Sequence, residues 1–122
     1  MPVLNPGNLE ELSAVLPMES VAGLIALFFK DAEGQLREIS ACEKAGDLAG
    51  IARQTHMMVS SAGNLGAMRT SALARQVEQF CVAGNPQGLG PLLDELRQAC
   101  LQSDAAIRAW RDSKRIVTLA SA

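Results

Sequence analysis

The sequence predicts an all-α fold: an antiparallel up-down four-helix bundle with a short N-terminal helix packed on one end. Apolar residues recur at i, i+3, i+4 and i+7 through most of the chain, the spacing that lines one face of a helix. Strand signals are absent: aromatics make up 3% of the residues, tyrosine is missing and no stretch alternates apolar with polar positions. The connections between periodic segments read as roughly two to four residues, too short to return the chain to the end it left, so successive helices run antiparallel.

Each element has its own start and stop. Pro6 with Asn8 opens a short helix through Leu9, Leu12, Val15 and Leu16, and Pro17 closes it because the proline ring disfavours helix at the residue before it. A long helix starts near Met18 to Ser20 and carries Val21, Leu24, Ile25, Phe28, Ala32, Leu36, Ile39 and Cys42 on its core face, ending at Ala45-Gly46. Asp47 is the N-cap of a third helix that runs to Ala67 or Met68, with Leu48, Ile51, Thr55, Met58, Ala62 and Leu65 facing inward. Gly63 and Gly66 near its end are poor helix formers and serve close approach. Thr70 or Ser71 caps a fourth helix through Leu73, Val77, Phe80 and Cys81 that stops at Ala83-Gly84. Asn85-Pro86 then pairs a cap with a proline at the first helical position, and the last helix carries Leu89, Leu92, Leu93, Leu96, Cys100, Ile107 and Trp110, with Gly88, Gly90 and Pro91 delaying its regular start until near residue 90. The apolar pattern fades after Ser113, so residues 114–122 are expected to fray.

With 48% hydrophobic residues, 122 residues are enough for a core without disulfide or metal staples, and nothing marks a second domain, so residues 1–122 read as one unit. Eleven basic and thirteen acidic residues, interspersed, offer no basic surface for nucleic acid or an anionic membrane. Neither a signal peptide nor an apolar run long enough to span a bilayer is present. Three cysteines without a Cys-x-x-Cys pair read as reduced, buried thiols of a cytoplasmic protein. No apolar stripe exceeds what the bundle itself buries, so a monomer is expected.

His56 is the only histidine. At about 100° per residue it lies roughly 140° from the centre of its helix's apolar stripe and points to water. Its neighbours one and two turns away, Ala49, Ala52, Arg53, Val59, Ser60 and Gly63, are mostly short and leave the imidazole open, with Met57 at the edge. One histidine and scattered cysteines do not make a metal site. For nucleophilic catalysis the ring has no carboxylate one turn away to orient it, and the glycines at 84, 88 and 90 do not form a phosphate loop. What remains is an exposed nucleophile offered to another protein.

The segment His56-Met57-Met58-Val59-Ser60-Ser61-Ala62-Gly63-Asn64-Leu65-Gly66-Ala67 resembles the signature of histidine phosphotransfer (HPt) domains, roughly His-x-Leu-Lys-Gly-Ser-x-x-x-Leu-Gly-Ala. Ser61, Leu65, Gly66 and Ala67 match it, and Met58 replaces its leucine. The likeness extends to about residue 113: Leu24 to Ala32 resembles the family's early helices, Ala45-Gly46-Asp47 stands where the family turns into its histidine helix, and Leu73 to Gly84 resembles the segment that follows.

The resemblance implies that His56 accepts a phosphoryl group from a receiver-domain aspartate or a kinase and passes it to another receiver. The chain would then be a phosphocarrier and not an enzyme, with Mg²⁺ supplied by the partner and no cofactor of its own. The partners implied are response-regulator receiver domains and a hybrid histidine kinase, docking on Ala49, Ala52, Arg53, Met57, Val59, Ser60 and Gly63. Two positions depart from the pattern: Val59 stands where the family has lysine, and Ser60 where it has glycine. The lysine would set a cation near the phosphoryl oxygens, and Arg53 on the same face is a candidate replacement. The rival reading is an HPt-like interaction module that binds receivers or kinases without carrying phosphate.

Overall fold

The computed structural model describes the backbone of residues 1–121 and the side chains of residues 1–114. Five helices follow one another, α1 Pro6–Val15, α2 Met18–Ala45, α3 Leu48–Asn64, α4 Met68–Val82 and α5 Leu89–Ser121, and no strand occurs among the described residues. Cross-helix contacts fix the directions. Along α3 and α4, Val59 meets Ser71 while His56 meets Glu78. Along α2 and α5, Phe29 meets Arg108 while Ser40 meets Arg97. In both pairs numbers rise on one helix as they fall on the other, so α2 to α5 form the expected antiparallel bundle.

Two neighbouring clusters of buried residues form the core. Ile39, Ile51, Met58, Val77, Leu93 and Leu96 anchor the larger one. Leu9 of α1 joins Val21, Ile25, Phe28, Leu65 and Ile107 in the other, which is how the short helix closes one end of the bundle. Each such aliphatic side chain contributes about 1.5–3 kcal/mol through burial. α1 is also tied to α5 from outside, because the Glu10 carboxylate accepts from Trp110 Nε1 at 2.8 Å and pairs with Lys114 Nζ at 2.9 Å. The Lys114 ammonium holds the Glu10 carboxyl below its ordinary range, helped by the indole donor.

The caps explain most boundaries. Asn5, not Asn8, opens α1, its side chain accepting from Gly7 N at 3.0 Å with Pro6 in the first turn. Asp47 caps α3 as expected, Oδ1 accepting from Gly50 N at 2.9 Å. The end of α3 differs: the helix stops at Asn64, three or four residues before the expected boundary. Gly66 adopts φ 82°, and two bonds, Ala67 N to Ala62 O at 2.9 Å and Gly66 N to Gly63 O at 3.1 Å, make a left-handed helix stop. The Gly66 carbonyl then accepts from Asn5 N at 2.7 Å, and Asn8 Nδ2 donates to Gly63 O at 3.2 Å. The close approach expected of these glycines is thus partly to the N-terminal segment.

α4 begins at Met68, so neither Thr70 nor Ser71 caps it. Their hydroxyls work across helices: Ser71 Oγ donates to Val59 O at 2.8 Å, and buried Thr70 Oγ1 donates to Ser103 Oγ at 3.2 Å. The α4–α5 connection covers residues 83–88, longer than expected, because Asn85 accepts from Gln87 N in a turn and does not start a helix. The backbone of α5 is helical to Ser121, so the fading of the apolar pattern after Ser113 does not mark a helix end; residue 122 lies outside the described residues. The three cysteines are buried and free. Burial, with Asp104 adding to it, pushes the Cys100 thiol up to about 12, which leaves it unreactive. No helix among the described residues is long and apolar enough to cross a membrane.

Candidate functional site

α3 presents His56 because the residues around it are committed inward. Thr55 and Met58 are fully buried, and Thr55 Oγ1 donates back to Ile51 O at 2.9 Å, so the next side chain in the turn faces out. The His56 side chain is 76% exposed, as the wheel predicts. It stands at the rim of an open depression of about 610 Å³ lined by Ala52, Arg53, Gln54, Met57 and Glu78.

Sequence reasoning missed Glu78. The expectation that no carboxylate orients the ring holds for α3 alone and fails in three dimensions. Glu78 Oε2 lies 2.7 Å from His56 Nδ1, and its side chain is only 25% exposed. An ionised carboxylate only accepts, so opposite ionised Glu78 it is Nδ1 that donates, and in the neutral ring that tautomer puts the lone pair on Nε2. The faint signal in the sequence was that Glu78 is the sole acidic residue of α4. Its partner depends on how α4 is set along α3, and the Ser71–Val59 bond two turns away fixes that register.

The expected docking residues divide into two groups. Ala49, Arg53, Met57 and Ser60 are exposed beside His56. Ala52 and Val59 are half-buried against the core, and Gly63 faces Ser71, where an added Cβ would lie 3.5 Å from the hydroxyl oxygen. α4 therefore already covers that flank of the histidine. Besides Met57, apolar exposure lies on α2, where Leu24 and Leu27 are 41% and 53% exposed and line a groove with Leu12, Phe28, Ser61 and Asn64. Leu24 was expected in the core. The width of the α2 stripe, with apolar residues at 21, 24, 25, 27 and 28, was the available sign that one helix face could not bury them all. Phe80, also expected inside, is partly exposed. Arg53 lies 4.0 Å from Asp47 and its side chain is 70% exposed. No three His, Cys, Asp or Glu side chains converge as a metal site among the described residues.

Comparison with known proteins places this geometry. The model of the Hpt domain matches residues 23–106. Among solved structures the chain is similar to histidine-containing phosphotransfer protein B (HptB) from Pseudomonas aeruginosa PAO1, with a TM-score of 0.86 over 92% of this chain and 96% of that one. Sequence identity there is 21%, so this likeness speaks for the fold. The search of curated proteins returned no significant match. A family match over more than half of the sequence, on a bundle that holds out a lone imidazole, makes this chain a member of the Hpt domain family, the histidine phosphotransfer proteins of phosphorelays.

Proposed function

We propose that His56 is the phosphoryl carrier of a cytoplasmic, monomeric, single-domain phosphotransfer protein. The observation that supports it most is the exposed ring whose Nδ1–H is held by Glu78, leaving Nε2 as the nucleophile. The lone pair of Nε2 attacks the phosphorus of an aspartyl phosphate on a receiver domain. As the N–P bond forms, the P–O bond breaks and its electrons leave with the aspartate carboxylate. The ring becomes positively charged with its Nδ1 proton in place, and Glu78 stabilises that charge. The reverse steps deliver the group to a second receiver.

The rest of the chemistry belongs to the partner, which brings the aspartyl phosphate together with its own Mg²⁺. The chain is therefore a carrier and not a catalyst in its own right. Met57 beside Arg53, and Leu24 and Leu27 in the separate groove on α2, offer the receiver exposed apolar side chains among polar ones, the composition of a transient interface. A hybrid kinase presents the same receiver chemistry and docks in the same way.

The test is to mix the chain with a ³²P-labelled phosphorylated receiver and Mg²⁺. Acid-labile, base-stable label on the chain within minutes is the expected result. Binding without label would leave the interaction module, the reading that Val59 in place of lysine favours.

Glu78 sets a second expectation. Glu78→Ala lowers the transfer rate about fivefold to tenfold, the value of a charge-assisted hydrogen bond discounted for exposure. Glu78→Gln, whose amide oxygen still accepts from Nδ1, falls between the two. Rapid-quench kinetics measures both, and an unchanged rate in Glu78→Ala would remove the orienting role.

A further inference from the structure

We propose that Arg75 of α4 binds the phosphoryl group on His56 and supplies the cation that position 59 lacks; this rests on the carrier reading of His56. At about 100° per residue, Val59 stands roughly 60° to one side of His56 on the α3 wheel and Arg53 roughly 60° to the other. Val59 faces α4, where its carbonyl accepts from Ser71, so the missing charge is missing on the α4 flank. Arg53 is on the opposite flank, drawn toward Asp47 at 4.0 Å.

Two contacts fix which α4 residues border that flank. Ser71 and Glu78, seven positions apart, both reach α3, the first at Val59 and the second at His56. Arg75 comes four residues after Ser71 and three before Glu78, so it stands on the same α4 face between them. The other residue at that level, Ala74, is fully buried, which leaves Arg75 as the outward one.

Arg75 is exposed and has no hydrogen bond or ion pair among the described residues. Its Cα is about 4.5 Å along the helix axis from that of Glu78, a rise that an extended arginine side chain spans. A phosphoryl group on Nε2 brings negative charge into a site that already holds the Glu78 carboxylate. A guanidinium offsets that repulsion and offers paired N–H donors to two phosphoryl oxygens.

Equilibrium separates phosphoryl binding from receiver docking. The partition of label between the separated chain and a receiver depends on the stability of phosphohistidine and not on the affinity of the complex. With one phosphorylated receiver and Mg²⁺, Arg75→Ala is expected to shift the partition toward the receiver about threefold to fivefold, the scale of an exposed ion pair. Arg75→Lys retains most of the unaltered value, and Val59→Lys added to Arg75→Ala restores it. An unchanged partition in Arg75→Ala, or no recovery in the double variant, overturns the assignment while the unaltered chain still takes label. If the unaltered chain takes no label, the carrier reading falls and this inference with it.

Discussion

His56→Gln is expected to abolish phosphoryl acceptance, by more than about a thousandfold, because the chain has no other imidazole and the neighbouring Ser60 hydroxyl has no base to activate it. The glutamine amide can still donate to Glu78, but its nitrogen has no lone pair free for attack on phosphorus. Stability should hardly move. The His56 side chain is 76% exposed and belongs to neither core cluster, so the change falls within about 0.5 kcal/mol. The measurement is label on the chain after exposure to a phosphorylated receiver, with circular dichroism and a urea titration alongside. Acid-labile label persisting on the variant would move the carrier to another residue and undo the functional reading.

Gly66→Ala is expected to cost about 3 kcal/mol and to lower Tm by about 10 °C. Two penalties act together. The backbone at φ 82° is the left-handed region that side chains resist, and an added Cβ would run into the carbonyl oxygen of Asn5 and approach Asn8 Cβ to 3.2 Å. Relief of the clash requires the N-terminal segment to lift, which breaks the 2.7 Å bond from Asn5 N to Gly66 O and uncovers the end of the core that Leu9 closes. Gly34→Ala is the control: this exposed glycine sits within α2 with open space around it, so alanine gains up to about 1 kcal/mol there. Well below its melting temperature Gly66→Ala should still take label on His56. Equal melting of Gly66→Ala and the unaltered chain would show that the glycine stop is not needed.

These two expectations divide the recognition motif by physical role. In the proposed function His56 carries the chemistry, whereas Leu65, Gly66 and Ala67 are all buried and end the helix while docking the N-terminal segment. Sequence alone made the bundle, the boundaries of α1 and α2, the Asp47 cap and the outward histidine readable, because proline, glycine, cap residues and apolar spacing are local signals. The errors came where a local group acts at long range. Thr70 and Ser71 look like caps but brace α4 against its neighbours, and Gly66 ends α3 early in a left-handed stop whose carbonyl accepts from distant Asn5 N. The same holds at the site. The carboxylate that orients His56 comes from position 78, and its placement depends on how two helices are set against each other. Val59 and Ala52 look like an open rim until α4 is in place.

The proton that Glu78 pins on one ring nitrogen also dictates regiochemistry. If His56 carries phosphate as proposed, the τ isomer of phosphohistidine is the expected product, because the Glu78 carboxylate lies against Nδ1, the atom that would bear the π isomer. An isomer-selective antibody or a phosphorus–nitrogen correlation spectrum would therefore detect a single species, and Glu78→Ala is the variant in which a mixture should emerge.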